Sequence, residues 1–268
     1  MTINTNIQAL QSANNLDAAQ SRLDAALAQL SSGSKINSPA DDPAGLAAVT
    51  RINAEAQRTT AAQSSVTNAL SFTQTQDGYL TGIATALSQM SQLCVEANDQ
   101  TKSDSDRSLY DLEFQQLNSY ITSTAAKDFD GVSLFSSNPL TITLDADNAT
   151  TLTMNGIDLT GGAYASATSS NIATTTAAGA ALAAVDAAIT QLASDRADVG
   201  SYETRLNFAS DQLTVGEQNL NAASSKIEDV NVADESTQYA TANVLLQSTT
   251  AMLAQANQLP QTVLKLIS

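Results

Sequence analysis

The sequence predicts a mainly α fold: a long antiparallel helical bundle or coiled coil, with the N- and C-terminal helices paired and a small β element at the tip. The first observation is a seam over residues 185–227, where an apolar residue recurs at every seventh position. Because an α-helix turns every 3.6 residues, such a repeat winds around the helix and requires a partner. At 1.5 Å per residue this helix is roughly 60 Å long, which suits a bundle. The seam consists of Val185, Leu192, Val199, Leu206, Leu213, Leu220 and Ile227.

The outline of the chain, which is nearly palindromic, indicates how the long helix is partnered. A short apolar helix begins the chain and another ends it, and a polar break joins each of them to a long apolar helix. The simplest arrangement is antiparallel, with the long helices bundled together and the terminal helices forming a second coiled coil. Residues 139–165 instead alternate apolar and polar side chains, and Asn155-Gly156 within them is a strong hairpin signal. The β element is therefore expected where the chain turns back.

The first predicted helix, residues 3–30, carries an apolar stripe and ends at a polar stretch. The stripe includes Ile3, Ile7, Leu10, Leu16 and Leu23. Glycine, proline, serine and aspartate then interrupt the pattern, which is typical of a joint between helices. An aspartate there can cap the next helix, with a proline in its first turn. The joint residues are Gly33, Pro39, Asp41, Asp42 and Pro43.

Two further helices are expected over residues 43–100 and 104–127, separated by a polar connector rich in serine and aspartate. Asp130-Gly131 then predicts a turn, and the apolar residues after it a short β-like stretch. Cys94 lies at helical spacing from two apolar residues, so it is predicted to be a small buried residue. A lone cysteine excludes an intramolecular disulfide.

The C-terminal part ends in another striped helix. Residues 166–176 are rich in serine and threonine and are expected to be exposed. The last helix follows a polar break at residues 228–236, and Pro260 within its pattern predicts a kink or a helix end near Leu259. Its apolar seam includes Leu245, Met252, Leu259 and Leu266.

Composition limits the function. The chain has 11 basic and 27 acidic residues, a net charge of −16, which disfavours binding to nucleic acid or to an anionic membrane. No run of 18 apolar residues predicts a membrane span. No positive charge precedes Arg22, so no cleavable secretory signal is expected. The chain has no histidine and no recognisable nucleophile–base or calcium-loop pattern, so we expect no catalytic residue, metal site or cofactor.

Three blocks of sequence resemble bacterial flagellin. They are INTNIQALQSANNL at the start, LSSGSKINSPADDPAGLA after the first helix, and SKIEDVNVADESTQYATANVLLQSTTAMLAQANQLPQTVLKLIS at the end. The resemblance covers roughly residues 1–135 and 180–268, and the middle segment resembles no family that we can name. Agreement in separate blocks at the corresponding ends of the chain is a specific signal.

The resemblance implies a filament subunit in three layers. Residues 1–42 with 228–268 would form an inner coiled coil, 43–135 with 178–227 the helical bundle, and 136–177 a small variable outer segment. The implied partners are copies of the chain and sister flagellins, an export chaperone on the C-terminal helix, and hook-associated and cap proteins. The protein would leave the cell by the flagellar type III route and reside in the extracellular flagellum.

One stretch departs from the family pattern. Many flagellins carry two arginines and a glutamate in the helix segment sensed by the vertebrate Toll-like flagellin receptor. The matching residues here are Gln89, Ser91 and Gln92, which cannot replace the planar contacts of arginine. Weak receptor recognition is therefore expected.

Alternatives to a filament subunit remain open at this point. A hook–filament junction protein shares the terminal helices, although the C-terminal block resembles flagellin more closely. A non-flagellar coiled-coil scaffold would stay inside the cell. An enzyme is disfavoured because the carboxylates lie on predicted solvated faces and no glycine-rich phosphate loop is present.

Overall fold

A computed structural model describes the backbone of residues 6–267 and the side chains of residues 6–258. Within that part of the chain, six helices and four short strands confirm the mainly α prediction. The helices are α1 Ile7–Ser32, α2 Pro43–Asn98, α3 Asp104–Ala125, α4 Gly162–Thr168, α5 Thr175–Glu228 and α6 Val232–Ile267. The strands are β1 Asp128–Phe129, β2 Val132–Ser133, β3 Leu140–Thr143 and β4 Thr151–Met154.

The chain divides into two compact units. The terminal unit comprises the residues up to Glu55 together with those from Asn219 onward, and the central unit comprises Ala56–Gln218. Helices α2 and α5 contribute residues to both units. Each unit is described separately below.

In the terminal unit, α1 and α6 pair antiparallel, as the apolar stripes predict. At one end the side-chain amide of Asn6 donates to the carbonyl of Ala256 over 2.8 Å. At the other end the backbone N–H of Val230 donates to the carbonyl of Gly33 over 3.0 Å. The residues that the pair buries are mainly alanines, so the helix backbones approach closely but remove little apolar area from water. These alanines are Ala19, Ala26, Ala242 and Ala256.

In the central unit, α2, α3 and α5 enclose one hydrophobic core. The predicted seam of α5 is buried there from Val185 to Leu213, and all five of its positions are at most 7% exposed. Its last two members, Leu220 and Ile227, belong to the terminal unit and are half-buried. Large side chains of α2 and α3 belong to the same core. Fully buried examples are Leu80, Ile83, Leu87, Met90, Phe114 and Ile121.

The first small hairpin, β1–β2, matches the predicted turn. Asp130 and Gly131 connect the strands with φ of 52° and 78°, a left-handed pair that suits Asp-Gly. After the hairpin, Leu134 and Phe135 dock into the core as expected, while Val132 stays exposed.

The second hairpin corrects the sequence prediction. Strands β3 and β4 pair in register from Leu140 opposite Met154, so the connection covers residues 144–150 and Asn155-Gly156 follows the hairpin instead of turning it. The carboxylate of Asp145 closes the loop by accepting from the N–H groups of Ala149 and Thr150. Gly156 is required for another reason: a Cβ there would lie 2.2 Å from the carbonyl oxygen of Ser136.

The serine- and threonine-rich tract is only partly the exposed loop that its composition predicts. Residues 162–168 form α4, and α5 already begins at Thr175. Ala167 and Ile172 are fully buried. The N–H of Ile172 donates to the carboxylate of Asp111 on α3 over 2.8 Å, which anchors the tract.

Two expectations about long helices can be compared with the structure, and one of them changes. Helix α6 continues through Pro260 to Ile267, so the predicted helix end near Leu259 is wrong. Helix α5 is long and apolar enough to cross a membrane, by length and composition alone. This is weak evidence, because the core helix of a soluble protein passes the same test and α5 supplies Ala178, Ala181 and Val185 to the core.

Candidate assembly surfaces

The joint after α1 begins with a left-handed glycine. Gly33 has φ of 74°, and its N–H donates to the carbonyl of Gln29 over 2.9 Å, which ends the helix. Glycine adopts this conformation without the cost that a side chain brings. Ser34 then forms an isolated antiparallel bridge with Asp229, so the joint is held against the start of α6.

The two aspartates of the joint have different tasks. One carboxylate oxygen of Asp41 accepts from the N–H groups of Asn37 and Ser38, and these bonds hold the pKa of Asp41 below its usual value. Asp42 accepts from the N–H of Gly45 over 2.9 Å and so caps α2, with Pro43 as the first helical residue.

Sequence reasoning missed Gly45, although it decides how the joint packs. A Cβ at Gly45 would lie 2.3 Å from a carboxylate oxygen of Asp42 and 2.9 Å from the side chain of Ile36. A glycine three residues after the capping aspartate was the available signal. Pro39 lies exposed at the tip of the loop.

The predicted packing stripe of the terminal helices separates into two groups. Leu16 and Leu23 are half-buried. Ile7, Leu10 and Met252 are large apolar side chains that are 67%, 61% and 63% exposed. Leu245 is exposed to a lesser degree, at 40%. The remaining members, Ile3, Leu259 and Leu266, lie outside the described side chains.

The stretch that matches the receptor-sensed segment lies on α2 in the central unit. Its apolar positions Leu87, Met90 and Leu93 are buried in the core. Val95, the next large apolar residue of the stretch, is instead 58% exposed. Gln89 and Gln92 are exposed and Ser91 is half-buried, so the departing positions lie mainly toward solvent.

The central unit also exposes apolar side chains that sequence reasoning did not identify. Leu109 and Leu112 on α3, and Phe208 and Val215 on α5, are all more than half exposed. The seven-residue spacing of Phe208 and Val215, each two positions after a seam residue, was a signal that could have found this second face.

Among the described residues, no group of three or more His, Cys, Asp or Glu side chains could hold a metal ion. A groove of about 570 Å³ between α2 and β3 is lined partly by Phe72, Phe129 and Val132.

Burial, and then the charge of Asp186, raises the pKa of the Cys94 thiol to about 11. This thiol is therefore protonated near neutral pH.

Ion pairing in the central unit fastens α5 to α2. The guanidinium of Arg196 donates two hydrogen bonds to the carboxylate of Asp77, at 2.8 and 3.1 Å. Gln63 on α2 donates to the hydroxyl of Thr214 on α5 over 2.9 Å. Because the higher number on α2 pairs with the lower number on α5, the two helices run antiparallel.

Comparison with known proteins agrees with this architecture. The family model for the bacterial flagellin N-terminal helical region matches residues 3–139, and that for the C-terminal helical region matches residues 182–267. The flagellar filament 30.7 kDa core protein of Treponema maltophilum is 30% identical over 285 residues, and a flagellin of Halalkalibacterium halodurans is 30% identical over 272 residues. Both alignments cover 100% of each chain.

A solved structure leads to the same family. The crystal structure of Bacillus cereus flagellin superposes with a TM-score of 0.52 at 26% identity, covering 60% of this chain and 94% of that one. Matches to both helical regions, relatives aligned over the whole chain and a shared fold leave one assignment: this chain belongs to the bacterial flagellin family.

Proposed function

We propose that this chain is a structural subunit of the bacterial flagellar filament and polymerises with copies of itself. The observation that carries the proposal is the row of exposed apolar side chains on α1 and α6, represented by Leu10 and Met252. Exposed apolar area of this kind marks a surface that other chains cover. The relatives support it, since they are named flagellins and filament core proteins. They give no support to a junction protein or a non-flagellar scaffold.

Within this function, the exposed and half-buried stripe residues are the subunit–subunit contacts. Residues 1–42 with 228–268 form the inner coiled coil, 43–135 with 178–227 the bundle, and 136–177 the outer segment. The joint over residues 33–45 connects the first two layers. Since the role is structural, it requires no catalytic group.

The test replaces exposed apolar residues of the terminal unit one at a time. Leu10→Ser and Met252→Ser each remove about 1.5–3 kcal/mol of interface burial, so each should raise the critical concentration for polymerisation at least tenfold. The helical circular dichroism of the monomer should not change. Gln11→Ser and Gln255→Ser, at neighbouring exposed positions, are the matched controls. Normal filaments from both apolar variants would contradict the proposal.

The remaining partners and the export route are those that the family resemblance implies. An export chaperone covers the C-terminal helix before assembly, because Met252 is exposed on α6. The flagellar type III route delivers the chain to the extracellular filament, where hook-associated and cap proteins adjoin it. A stop codon after Ser236 should leave a folded monomer that neither binds the chaperone nor polymerises. Pull-down and light scattering measure the two losses separately.

The Toll-like flagellin receptor should recognise this chain weakly, because the matching positions on α2 carry no charge. Gln89 and Gln92 are exposed but neutral, and a charge-assisted hydrogen bond contributes about 1.5–3 kcal/mol. The double change Gln89→Arg and Ser91→Arg should therefore partly restore signalling in a reporter assay. An unmodified monomer that already signals as strongly as an arginine-bearing flagellin would refute this account.

A further inference from the structure

Helix α3 presents two large apolar side chains that face away from the core of the central unit. Leu109 and Leu112, here called the α3 stripe, are 64% and 65% exposed. They lie three residues apart on one side of the helix, while Phe114 and Ile121 on the other side are completely buried. The core of the central unit is thus already filled without them.

Helix α5 presents a second stripe on a different face of the same unit. Phe208 and Val215, here called the α5 stripe, are 70% and 55% exposed. Each follows a buried seam residue, Leu206 or Leu213, by two positions, which is a rotation of about 200° around the helix. The α5 stripe therefore faces away from the core.

The two stripes lie at different heights along α2. The guanidinium of Arg107 donates to the carbonyl of Ala97, which places the start of α3 beside the end of α2. The bond from Gln63 to Thr214 places the α5 stripe beside the first half of α2. Counted antiparallel from these two contacts, Leu109 lies beside about residue 95 of α2 and Phe208 beside about residue 69. The offset is therefore about 26 residues of α2, or about 40 Å. Both α3 and α5 run antiparallel to α2, so they are parallel to each other.

The exposed charges beside the two stripes include one pair of opposite sign. Glu113 lies one turn after Leu109 on the exposed side of α3. Arg205 lies one turn before Phe208 on the exposed side of α5, and no ion pair or hydrogen bond of its guanidinium is seen among the described residues. The exposed carboxylate of Asp211 lies three residues after Phe208, so a partner carboxylate must approach the α5 stripe at its Arg205 end.

From these observations we propose that the α3 stripe of one subunit packs against the α5 stripe of the next, with Glu113 facing Arg205 across the contact. The occupant of each stripe is a second copy of this chain. Since the two surfaces differ, the contact is heterologous and extends without closing, with a shift of about 40 Å per subunit along the α2 axis. This inference rests on the proposed filament function and names the surfaces that would propagate it in the central unit.

The test is site-specific crosslinking in the full chain, with Cys94→Ala as background. The double variant Leu112→Cys and Phe208→Cys is assembled, oxidised with copper phenanthroline and run on a denaturing, non-reducing gel. The expected result is a ladder of covalent oligomers. Each single variant alone should remain monomeric on the gel, and an equal mixture of the two should stop at dimers. Leu112→Cys with Ser64→Cys, an exposed position elsewhere on α2, is the matched control.

Two results would overturn the inference. One is that the double variant forms filaments, seen by electron microscopy, but gives no ladder of covalent oligomers after oxidation. The other is a single variant that forms dimers as efficiently as the mixture, which indicates a twofold contact. Failure of the chain without introduced cysteines to form any filament would instead refute the proposed function.

A charge exchange gives a second readout that needs no new thiol. Arg205→Glu and Glu113→Arg should each raise the critical concentration about threefold to tenfold, and the two together should restore it. Losses that simply add in the double variant would contradict the pairing.

Discussion

The terminal and central units of this chain bury different kinds of side chain. The central unit removes Phe114, Leu80 and Ile83 completely from water. Between α1 and α6, the terminal unit buries mainly alanines, while Leu10 and Met252 stay exposed. A leucine or phenylalanine gains about 1.5–3 kcal/mol from full burial, which an alanine with one methyl group does not match. The comparison teaches that the central unit is stabilised by its own core, and we propose that the α1/α6 pair gains most of its stability from neighbouring subunits.

The largest expected effect is on the central core. Phe114→Ala should lower the free energy of unfolding of the monomer by about 3–5 kcal/mol, because a fully buried ring leaves a cavity. Phe208→Ala, the same change at a 70% exposed position of the same unit, should cost under about 0.5 kcal/mol. Urea denaturation followed by circular dichroism compares the two. Equal losses would show that the core does not dominate stability.

The corner between α2 and α3 should be the next most sensitive site. Arg107 is 5% exposed and donates to the carbonyls of Ala97 and Asp99 and to the carboxylate of Asp104. Arg107→Ala leaves two carbonyls without this donor, at a cost of about 2–4 kcal/mol. Arg58→Ala, which breaks an exposed pair, should cost no more than about 1 kcal/mol.

A change in the joint should affect assembly more than the stability of the monomer. Gly33→Val strains a left-handed residue by about 1–2 kcal/mol but meets no atom within 4 Å. We expect a small change in melting temperature and a clear change in filament shape or swimming. Gly78→Ala, in the exposed helical part of α2, is the control and should stabilise by up to about 1 kcal/mol. A Gly33 variant with normal motility and a collapsed melting temperature would contradict the role of the joint.

The Cys94 thiol gives a pH-dependent report on the central unit alone. Burial raises the pKa of the folded thiol from 9.0 to about 11, so its contribution to stability is complete below pH 9 and is lost as the pH rises toward 11. At pH 8 an alkylating reagent should label the thiol only after urea has unfolded the core. Rapid labelling of the native monomer would show that this unit opens without denaturant.

Much of the fold was predictable from periodicity. The seven-residue seam correctly identified the buried side of α5 from Val185 to Leu213, because burial against a partner helix imposes that repeat. The joint was predictable from glycine, proline and aspartate, whose effects are local. Gly33 and Asp42 accordingly adopt the backbone and capping roles expected of them.

What the sequence did not reveal depends on contacts between distant residues. Gly156 looked like a turn residue, but the backbone near Ser136 approaches it too closely for a side chain. Ile172 lay in a polar tract, yet Asp111, distant in sequence, binds its N–H group. The exposed faces of α3 and α5 were missed because spacing finds an apolar stripe but does not say which of two stripes is buried.

Hydrogen exchange followed by mass spectrometry, on monomer and filament in parallel, tests the central claim most directly. The account predicts that amides of α1 and α6 exchange much faster in the monomer and become protected in the filament. Core amides of the central unit, such as those around Phe114 and Leu80, should be protected in both states. Equal protection of α1 and α6 in monomer and filament would contradict the claim that neighbouring subunits stabilise the terminal pair.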